Sequence, residues 1–389
     1  MKIDPLQQAL RDSKLDGWLF FDHHRRDPLA YRILGIPDGI EPTRRWYYFV
    51  PPNGEPRKLV HRIESHTLDN LDGDAETYCS WTDQQSKLNR ILAGSTRVAM
   101  QYSENCAIPY VSMVDAGTIE LVRKAGVEIV SSADLVQLFE ARWTDRQFEM
   151  HIEAGKLVDA ARSEAFRLIS DRVRKNDPVS EYEVQQFIRK RFAESGLVTN
   201  HGPIVAVNGN ASDPHYEPTR DKTAHVQAGD LVLIDLWAKL AKPDAVYYDV
   251  TWTGYCGDTV PNEIEKVFEI VASARKKASD FVIRETTNGK QIAGYEVDDA
   301  ARRYIQSHGF GEFFFHRTGH SIGTDVHGTG ANMDNFESHD ERKIIPNTCF
   351  SIEPGIYLRE FGIRSEVNVF VGKGWAKVTG EEQRELVRI

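Results

Sequence analysis

The chain has 389 residues, and at roughly 150 residues per domain this length predicts two or three domains. Hydrophobic residues make up 41% and charged residues 27%, a balance typical of globular proteins that excludes a disordered or fibrous chain. The formal net charge is -10, so no global positive field exists to attract nucleic acid, and no nucleic-acid partner is expected.

The cysteines and the N-terminal segment bear on the cellular compartment. The four cysteines are far apart in the sequence, which predicts neither a disulfide framework nor a thiolate zinc site. The first residues carry acids and lack the apolar stretch of a signal peptide, and nowhere do about 18 apolar residues run together. We therefore expect a cytoplasmic protein without a membrane partner.

The first 140 or so residues alternate between short apolar runs and helix-like stretches. This alternation is typical of a small α/β domain. The predicted strands are Trp18 to Phe21, Trp46 to Val50, Arg97 to Met100 and Val127 to Val130.

The sequence pattern changes near Thr144, where Thr144 and Gln147 form a predicted capping box ahead of apolar residues at helical spacing. We place a domain boundary at about residue 142, which gives domains of residues 1–142 and 143–389. A second predicted capping box, Ser180 with Glu183, begins another helix, which Gly196 is expected to end.

The remainder of the chain is predicted to be mainly strands, with helices near residues 262–286 and 295–307. The predicted strands are Ile204 to Val207, Leu231 to Trp237, Tyr247 to Thr253, Phe350 to Ile352 and Val367 to Val371.

Two carboxylates interrupt the apolar strands of this second region. Asp235 lies in LVLIDLW, where an unpaired buried carboxylate would cost several kcal/mol or change its ionisation. Asp249 lies in YYDVTWT, and two buried carboxylates brought together repel unless a cation lies between them. For a single buried Asp two interpretations stay open, a hydrogen-bonded or Arg-paired structural group and a metal ligand.

The C-terminal third adds further candidate ligands. The segment HRTGHSIGTDVHGTG places His320 between glycines and His327 seven residues later. Glu353 ends a strand-like stretch in SIEPG, and Glu366 precedes another apolar run in IRSEVNVFV. Imidazole and carboxylate together suit manganese, cobalt, iron or zinc.

With these motifs the sequence resembles the pita-bread metallopeptidases, the family of methionine aminopeptidase, aminopeptidase P, prolidase and creatinase. An N-terminal domain before the catalytic domain is similar to the prolidase, aminopeptidase P and creatinase branch. The matching residues, in chain order, are His215 in NGNASDPH, Asp235 in LIDLWA, Asp249 in YYDVT, His320 in TGHSIG, His327 in DVH, Glu353 in IEPGIY and Glu366 in IRSEV.

The resemblance implies a fold and a metal centre. The expected fold is a creatinase-like α/β N-terminal domain followed by an α+β pita-bread catalytic domain. Two divalent metal ions are implied, manganese first, with cobalt, zinc and iron as alternatives. The implied ligands are Asp235, Asp249, His320, Glu353 and Glu366.

The resemblance also implies roles for other residues. Glu353 would act as general base on the nucleophilic water, and His215 and His327 would bind the substrate and the oxyanion. Arg342 resembles the Arg with which prolidases grip a free substrate carboxylate; the alternative is a solvated Arg at a helix end. Arg364 would orient the ligand Glu366.

Three departures from the family pattern concern the substrate pocket. The stretch from Asp235 to Asp249 is roughly three residues longer than usual. Trp237 stands where Gly is common, and Trp252 stands where the family has Arg. Gly328 follows His327 where the family has an acid.

The leading hypothesis is a dinuclear metal-dependent hydrolase that cleaves the bond before proline in Xaa-Pro dipeptides or short peptides by metal-bound hydroxide. One alternative is a non-peptidase enzyme on this fold, a creatinase-like hydrolase or a lyase acting on a small zwitterion. Another is a catalytically inactive pita-bread module that binds a partner. The resemblance further implies a small peptide substrate and a homodimer.

Overall fold

The computed structural model describes residues 3–389. The chain divides into two compact units, residues 1–140 and 141–389, and each unit has hydrophobic clusters of its own. Within the described residues, none of the helices combines the length and apolar composition needed to cross a bilayer.

The first unit is an α/β unit. Its elements are α1 (Asp4–Asp12), β1 (Gly17–Asp22), α2 (Pro28–Leu34), β2 (Trp46–Val50), β3 (Arg57–His61), β4 (Asp74–Tyr78), α3 (Trp81–Leu92), β5 (Arg97–Met100), α4 (Ala116–Arg123), β6 (Glu128–Ser131) and α5 (Ala133–Val136).

The strands of the first unit form one mixed sheet in the order β4-β3-β2-β1-β5-β6. Alternating side chains of β1 enter two cores, because successive side chains of a strand point to opposite faces. Trp18 and Phe20 join the core that contains α2, while Leu19 and Phe21 join the core that contains α4. The helices therefore cover both faces of the sheet, as the predicted α/β class requires.

The second unit begins with long helices and continues mainly in strands. Its elements are α6 (Asp145–Arg174), α7 (Glu181–Glu194), β7 (Leu197–Val198), β8 (Ile204–Val207), β9 (Leu231–Leu240), β10 (Tyr248–Tyr255), α8 (Asn262–Thr287), α9 (Gly294–Ser307), β11 (Ser321–Ile322), β12 (Thr348–Ile352), β13 (Gly355–Tyr357), β14 (Gly362–Arg364), β15 (Val367–Val371), β16 (Ala376–Thr379) and β17 (Val387–Arg388).

Both predicted capping boxes are confirmed. The Thr144 hydroxyl accepts from the Gln147 backbone N–H, the Gln147 side chain accepts from the Thr144 N–H, and Ser180 and Glu183 repeat this exchange. These bonds satisfy N–H groups that have no partner inside the helix, so they fix where α6 and α7 begin. Gly196 follows α7 with a φ of 71°, a conformation that glycine adopts without steric cost.

Two sheets of the second unit carry the candidate site. One has the order β17-β10-β9-β7, with β8 also paired to β9, and the other has the order β11-β12-β15-β16. Helices α6 and α7 pack in one apolar core with β9 and β10, while α8 and α9 pack in another with β12 and β15. The antiparallel hairpin β9-β10 lies next to β15, and this proximity brings the two sheets' polar residues together.

Candidate metal centre

Asp235 and Asp249 lie on the same face of the β9-β10 hairpin. In the antiparallel register Asp235 is opposite Thr251 and Asp249 is opposite Trp237. Side chains two residues apart share a face of a strand, so the two carboxylates point to the same side. Both are buried, with 8% and 5% of their surface exposed.

Glu366 joins these two carboxylates through Thr251. The Glu366 backbone N–H donates to the Thr251 carbonyl at 3.1 Å, and the Thr251 hydroxyl donates to Oε2 of Glu366 at 2.8 Å. Glu366 directly precedes β15, so these bonds fix the start of β15 against the middle of β10.

His320 and Glu353 complete the cluster. His320 Nε2 lies 3.5 Å from Oδ2 of Asp249 and 3.4 Å from Oε1 of Glu353. The Ser351 hydroxyl accepts from the His320 backbone N–H at 2.9 Å and donates to Glu353 at 3.0 Å. The backbone at Gly319 lies close to Ser351, and only glycine fits there, because a Cβ would lie 1.9 Å from the Ser351 carbonyl oxygen.

The cluster has the chemistry of a cation site. One carboxylate oxygen of each of three acids is buried without a hydrogen-bond partner among residues 3–389: Oδ1 of Asp235, Oδ1 of Asp249 and Oε1 of Glu366. Asp249, His320 and Glu366 each place a ligand atom within 4.8 Å of the others. Buried oxygens without donors are costly, and a bound cation would satisfy them. The residues present therefore fit a divalent metal ion.

Burial and the neighbouring charges set the pKa values of these carboxyl groups. Burial raises the pKa of Asp235 to about 6, an effect that the Arg364 guanidinium opposes and Asp249 increases. Burial likewise raises the pKa of Asp249 to about 7, again opposed by Arg364. Burial and then the neighbouring carboxylates raise the pKa of Glu366 well above its ordinary value. Each of these carboxylates is therefore harder to ionise than an exposed one.

Arg364 contacts Asp235, a different ligand from the one expected. Its guanidinium donates to Oδ2 of Asp235 at 2.5 Å, to the Thr251 hydroxyl at 3.1 Å and to the Tyr357 hydroxyl at 3.1 Å. Arg364 thus binds Asp235 directly and reaches Glu366, the ligand that it was expected to orient, through the Thr251 hydroxyl. The Tyr357 hydroxyl is also hydrogen-bonded to Nε2 of His316 at 2.7 Å, which adds His316 to this network.

His215 and His327 lie at the edge of the cluster, and both are exposed. The His327 ring packs edge-on against His320, with ring centroids 4.3 Å apart. The proximity of His320, together with partial desolvation of the ring and the charges of Arg317 and His215, lowers the pKa of His327 to about 2. His327 is therefore neutral near pH 7, with one ring nitrogen that donates and one that accepts.

Arg342 already holds a carboxylate. Its Nε donates to Oδ1 of Asp340 at 2.9 Å, one Nη donates to Oδ2 of Asp340 at 2.6 Å, and the other donates to the Thr329 carbonyl at 2.6 Å. Arg342 and Asp340 are 4% and 1% exposed. Sequence analysis expected a guanidinium facing the substrate or solvent, and the structure places it in a buried internal ion pair.

Trp237 and Trp252, the two tryptophans that differ from the family pattern, lie on opposite faces of the β9-β10 hairpin. Trp237 shares the face of Asp235 and Asp249, and its Nε1 donates to the Asn200 side chain at 2.7 Å. Trp252 points to the opposite face, where the Arg162 guanidinium lies 3.7 Å from its ring centroid. The expectation that both change the site is therefore wrong for Trp252, because the side chains of a strand alternate between faces.

Residues between Asp235 and Asp249 hydrogen-bond to the segment that precedes His327. The Tyr247 N–H donates to the Gly323 carbonyl at 3.0 Å, and Lys239 Nζ donates to the Thr324 carbonyl at 2.6 Å. The longer hairpin thus packs against residues 323–324.

Thr251, Tyr357 and His316 were not predicted from the sequence as site residues. The signal for Thr251 was available, because Asp249 and Thr251 follow the period of two that places residues on one face of a strand. Tyr357 and His316 had no such signal, since a Tyr or His near a strand is ordinary. Only their hydrogen bonds to Arg364 and to each other connect them to the cluster.

Two known dipeptidases are similar in sequence to this chain. An Xaa-Pro dipeptidase of Pyrococcus horikoshii is 28% identical over 271 residues, which cover 69% of this chain and 71% of that protein. An Xaa-Pro dipeptidase of Lactobacillus helveticus is 31% identical over 234 residues, 60% of this chain and 58% of that one. The Lactobacillus match spans less than two thirds of that relative's length.

Solved structures share the fold of both units. A dipeptidase from Mycobacterium ulcerans has a TM-score of 0.71 at 22% identity, with 100% of this chain and 96% of that chain covered. An Escherichia coli aminopeptidase P has a TM-score of 0.60 at 16% identity, with 97% and 94% covered. The predicted creatinase-like domain followed by a pita-bread domain is thereby confirmed.

The family comparison covers the candidate site. Residues 149–373 match the model of "Metallopeptidase family M24". This segment is more than half of the chain and contains Asp235, Asp249, His320, Glu353 and Glu366. The protein therefore belongs to metallopeptidase family M24.

Proposed function

We propose that this peptidase cleaves the bond before proline in Xaa-Pro dipeptides or short Xaa-Pro peptides, with two divalent metal ions. The observation that carries the metal requirement is the set of three buried, unpartnered carboxylate oxygens beside His320. The choice of bond is supported by relatives named Xaa-Pro dipeptidase at 28% to 31% identity.

The proposed ligands are Asp235, Asp249, His320, Glu353 and Glu366. Bound divalent ions supply Lewis acidity and lower the pKa of water, so that hydroxide is available near neutral pH. Manganese is the proposed native ion, because four carboxylates and one imidazole form a predominantly hard oxygen ligand set. Cobalt, zinc and iron accept the same groups and are the alternatives.

The remaining site residues hold protons and substrate in this proposal. Burial raises the pKa of Glu353, while His320 and Arg364 oppose the rise, and the raised value suits a general base that takes a proton from water. The exposed imidazoles of His215 and His327 are proposed to donate hydrogen bonds to the substrate and to the oxyanion. Arg364 is proposed to orient Asp235 through their 2.5 Å ion pair.

The position of Arg342 bears on the length of the peptide substrate. A grip by Arg342 on the substrate's free carboxylate would require the guanidinium to leave Asp340. A dipeptidase and an aminopeptidase are therefore both retained as forms of the proposed activity. A creatinase-like enzyme or an inactive module has no specific observation in its favour, since the complete ligand set is present.

A peptide panel with metal-depleted enzyme tests the proposal. The substrates are an Xaa-Pro dipeptide, its C-terminal amide, an Xaa-Pro-Xaa tripeptide and an Xaa-Ala dipeptide, each with manganese, cobalt, zinc or iron. We expect metal-dependent cleavage of the proline substrates and little cleavage of Xaa-Ala. The matched control is Glu366→Gln, which keeps the shape of a ligand and removes its charge.

Two results would overturn this function. One is equal turnover of Xaa-Ala and Xaa-Pro, which would remove the proline specificity. The other is full activity in chelator or in Glu366→Gln, which would remove the metal requirement. The homodimer remains a further proposal, and light scattering of the purified protein measures it.

A further inference from the structure

Three alternate residues of β10 bond to groups outside the β9-β10 hairpin. They are Asp249, Thr251 and Thr253, and they lie on the side of the strand that faces β15 and the C-terminal segment. The Thr251 carbonyl accepts from the Glu366 backbone, whereas the other two residues are bound by side-chain amides. These amides take the place of a neighbouring strand.

Asn368 clamps the backbone of Asp249. Its Oδ1 accepts from the Asp249 N–H at 3.0 Å, and its Nδ2 donates to the Asp249 carbonyl. Asn368 is fully buried, on β15 two residues after Glu366. One amide therefore binds both the backbone N–H and the backbone carbonyl of Asp249, as a strand partner would.

Gln383 forms an equivalent clamp farther along β10. Its Oε1 accepts from the Thr253 N–H at 3.0 Å, and its Nε2 donates to the Thr253 carbonyl. Gln383 is also fully buried. Thr253 is not among the proposed ligands, so the chain contains two clamps of the same chemistry, one at a candidate ligand and one four residues beyond it.

The Asp249 carboxylate has little else to hold it in the described part of the chain. Its Oδ1 has no hydrogen-bond partner there, and its Oδ2 lies 3.5 Å from His320 Nε2, beyond a good hydrogen bond. The proposed ligands come from two sheets, with Asp235 and Asp249 on one and Glu366 at the edge of the other. Asn368 bridges those sheets directly beside Asp249.

We propose that Asn368 is a positioning residue that fixes Asp249 relative to Glu366 for metal binding. The inference rests on the proposed function, because it takes Asp249 as a ligand. A multidentate site needs its ligands held within about 0.5 Å of their productive positions. Loss of such an outer contact typically weakens metal affinity about 10- to 100-fold.

The test compares Asn368→Ala with Gln383→Ala as matched control. Each variant removes one buried amide and its two bonds to β10, and Gln383→Ala also removes a bond to the Glu385 carbonyl at 2.9 Å. Calorimetric titration of the full-length chelator-treated protein with Mn²⁺ gives Kd, and Tm in chelator gives stability. We expect both variants to lower Tm, and only Asn368→Ala to raise the Kd for Mn²⁺ by about tenfold or more.

An unchanged Kd in Asn368→Ala, or the same rise in both variants, would overturn the inference. If Asn368→Ala does not fold, Asn368→Thr, which replaces the amide by a hydroxyl at similar volume, must show the same rise in Kd relative to Gln383→Ala. Failure of the proposed function would appear in the wild type instead, as Mn²⁺ binding no tighter than that of Glu366→Gln. That result would overturn the function and this inference together.

Discussion

At the scale of single residues, His215 and His327 differ from the proposed ligands in exposure. Both rings are exposed, while the carboxylates and His320 are buried or nearly so. An imidazole N–H at the edge of a buried cluster can donate to a peptide without binding a metal ion. Their proposed role in substrate binding depends on this position.

We predict that His215→Ala and His327→Ala lower kcat and leave metal content unchanged. Loss of one oxyanion donor typically costs about 10² to 10³ in rate, or roughly 2.7 to 4 kcal/mol. Steady-state kinetics and elemental analysis of the two variants check this. Wild-type turnover in both variants, or loss of metal from either, would contradict the assigned roles.

Arg342 is predicted to contribute mainly to stability. Removal of one partner of a buried ion pair leaves the other charge uncompensated and typically costs about 3 to 5 kcal/mol. We expect Arg342→Met to lower the free energy of unfolding by that amount, measured with denaturant, and the added change Asp340→Asn to restore part of it. A selective loss of dipeptide over dipeptide-amide cleavage in Arg342→Met would instead support the carboxylate-gripping role.

At the scale of elements, His151 joins helix α6 to two strands. One ring nitrogen is 2.8 Å from the Tyr247 carbonyl, just before β10, and the other is 2.7 Å from the Thr379 hydroxyl at the end of β16. His151 is fully buried, and burial lowers its pKa from 6.5 to about 4. The folded protein therefore binds this proton less readily than the unfolded chain does.

This lowered pKa predicts loss of stability in acid. Because the unfolded His151 takes up a proton near pH 6.5 and the folded one near pH 4, its contribution is complete above pH 6.5 and is lost as the pH falls towards 4. The expected loss from this group is about 2 kcal/mol between pH 7 and pH 5. Denaturant unfolding at both pH values should show a smaller decrease in His151→Gln, and an equal decrease would refute the prediction.

At the scale of the whole molecule, the candidate site belongs to one unit, residues 141–389. A ligand that binds only the folded state stabilises it by about 2.7 kcal/mol at a hundred times its Kd. This effect should be local, because the proposed ligands lie on β9, on β10 and next to β11, β12 and β15.

We predict that Mn²⁺ slows amide hydrogen exchange in residues 231–255 and 348–371. Exchange in residues 17–131 of the other unit should change much less. Exchange mass spectrometry with Mn²⁺ and with chelator measures this, and Glu366→Gln is the control that should lose the protection. Equal protection of both regions, or the same protection in the control, would contradict a metal site in the second unit.

The sequence predicted the strands and the ligand types from short-range patterns. Asp235 and Asp249 were recognisable because each interrupts an apolar strand, and Thr144 and Ser180 because a capping box spans only four residues. Arg342 and Arg364 were harder, because the partner of a long, flexible side chain is set by tertiary packing. Arg342 binds Asp340 and Arg364 binds Asp235, neither of which the sequence indicated.

The sequence by itself determined the α/β first domain, the helices and most strands of the second, and an acid and His set suited to divalent metals. These features depend on side-chain periodicity and residue chemistry, which are local. The tertiary structure alone decided which carboxylate oxygens lack partners, that Arg364 binds Asp235, and that Asn368 binds Asp249. Each of these depends on strand register and on contacts between residues more than a hundred positions apart, where no sequence spacing specifies the distance.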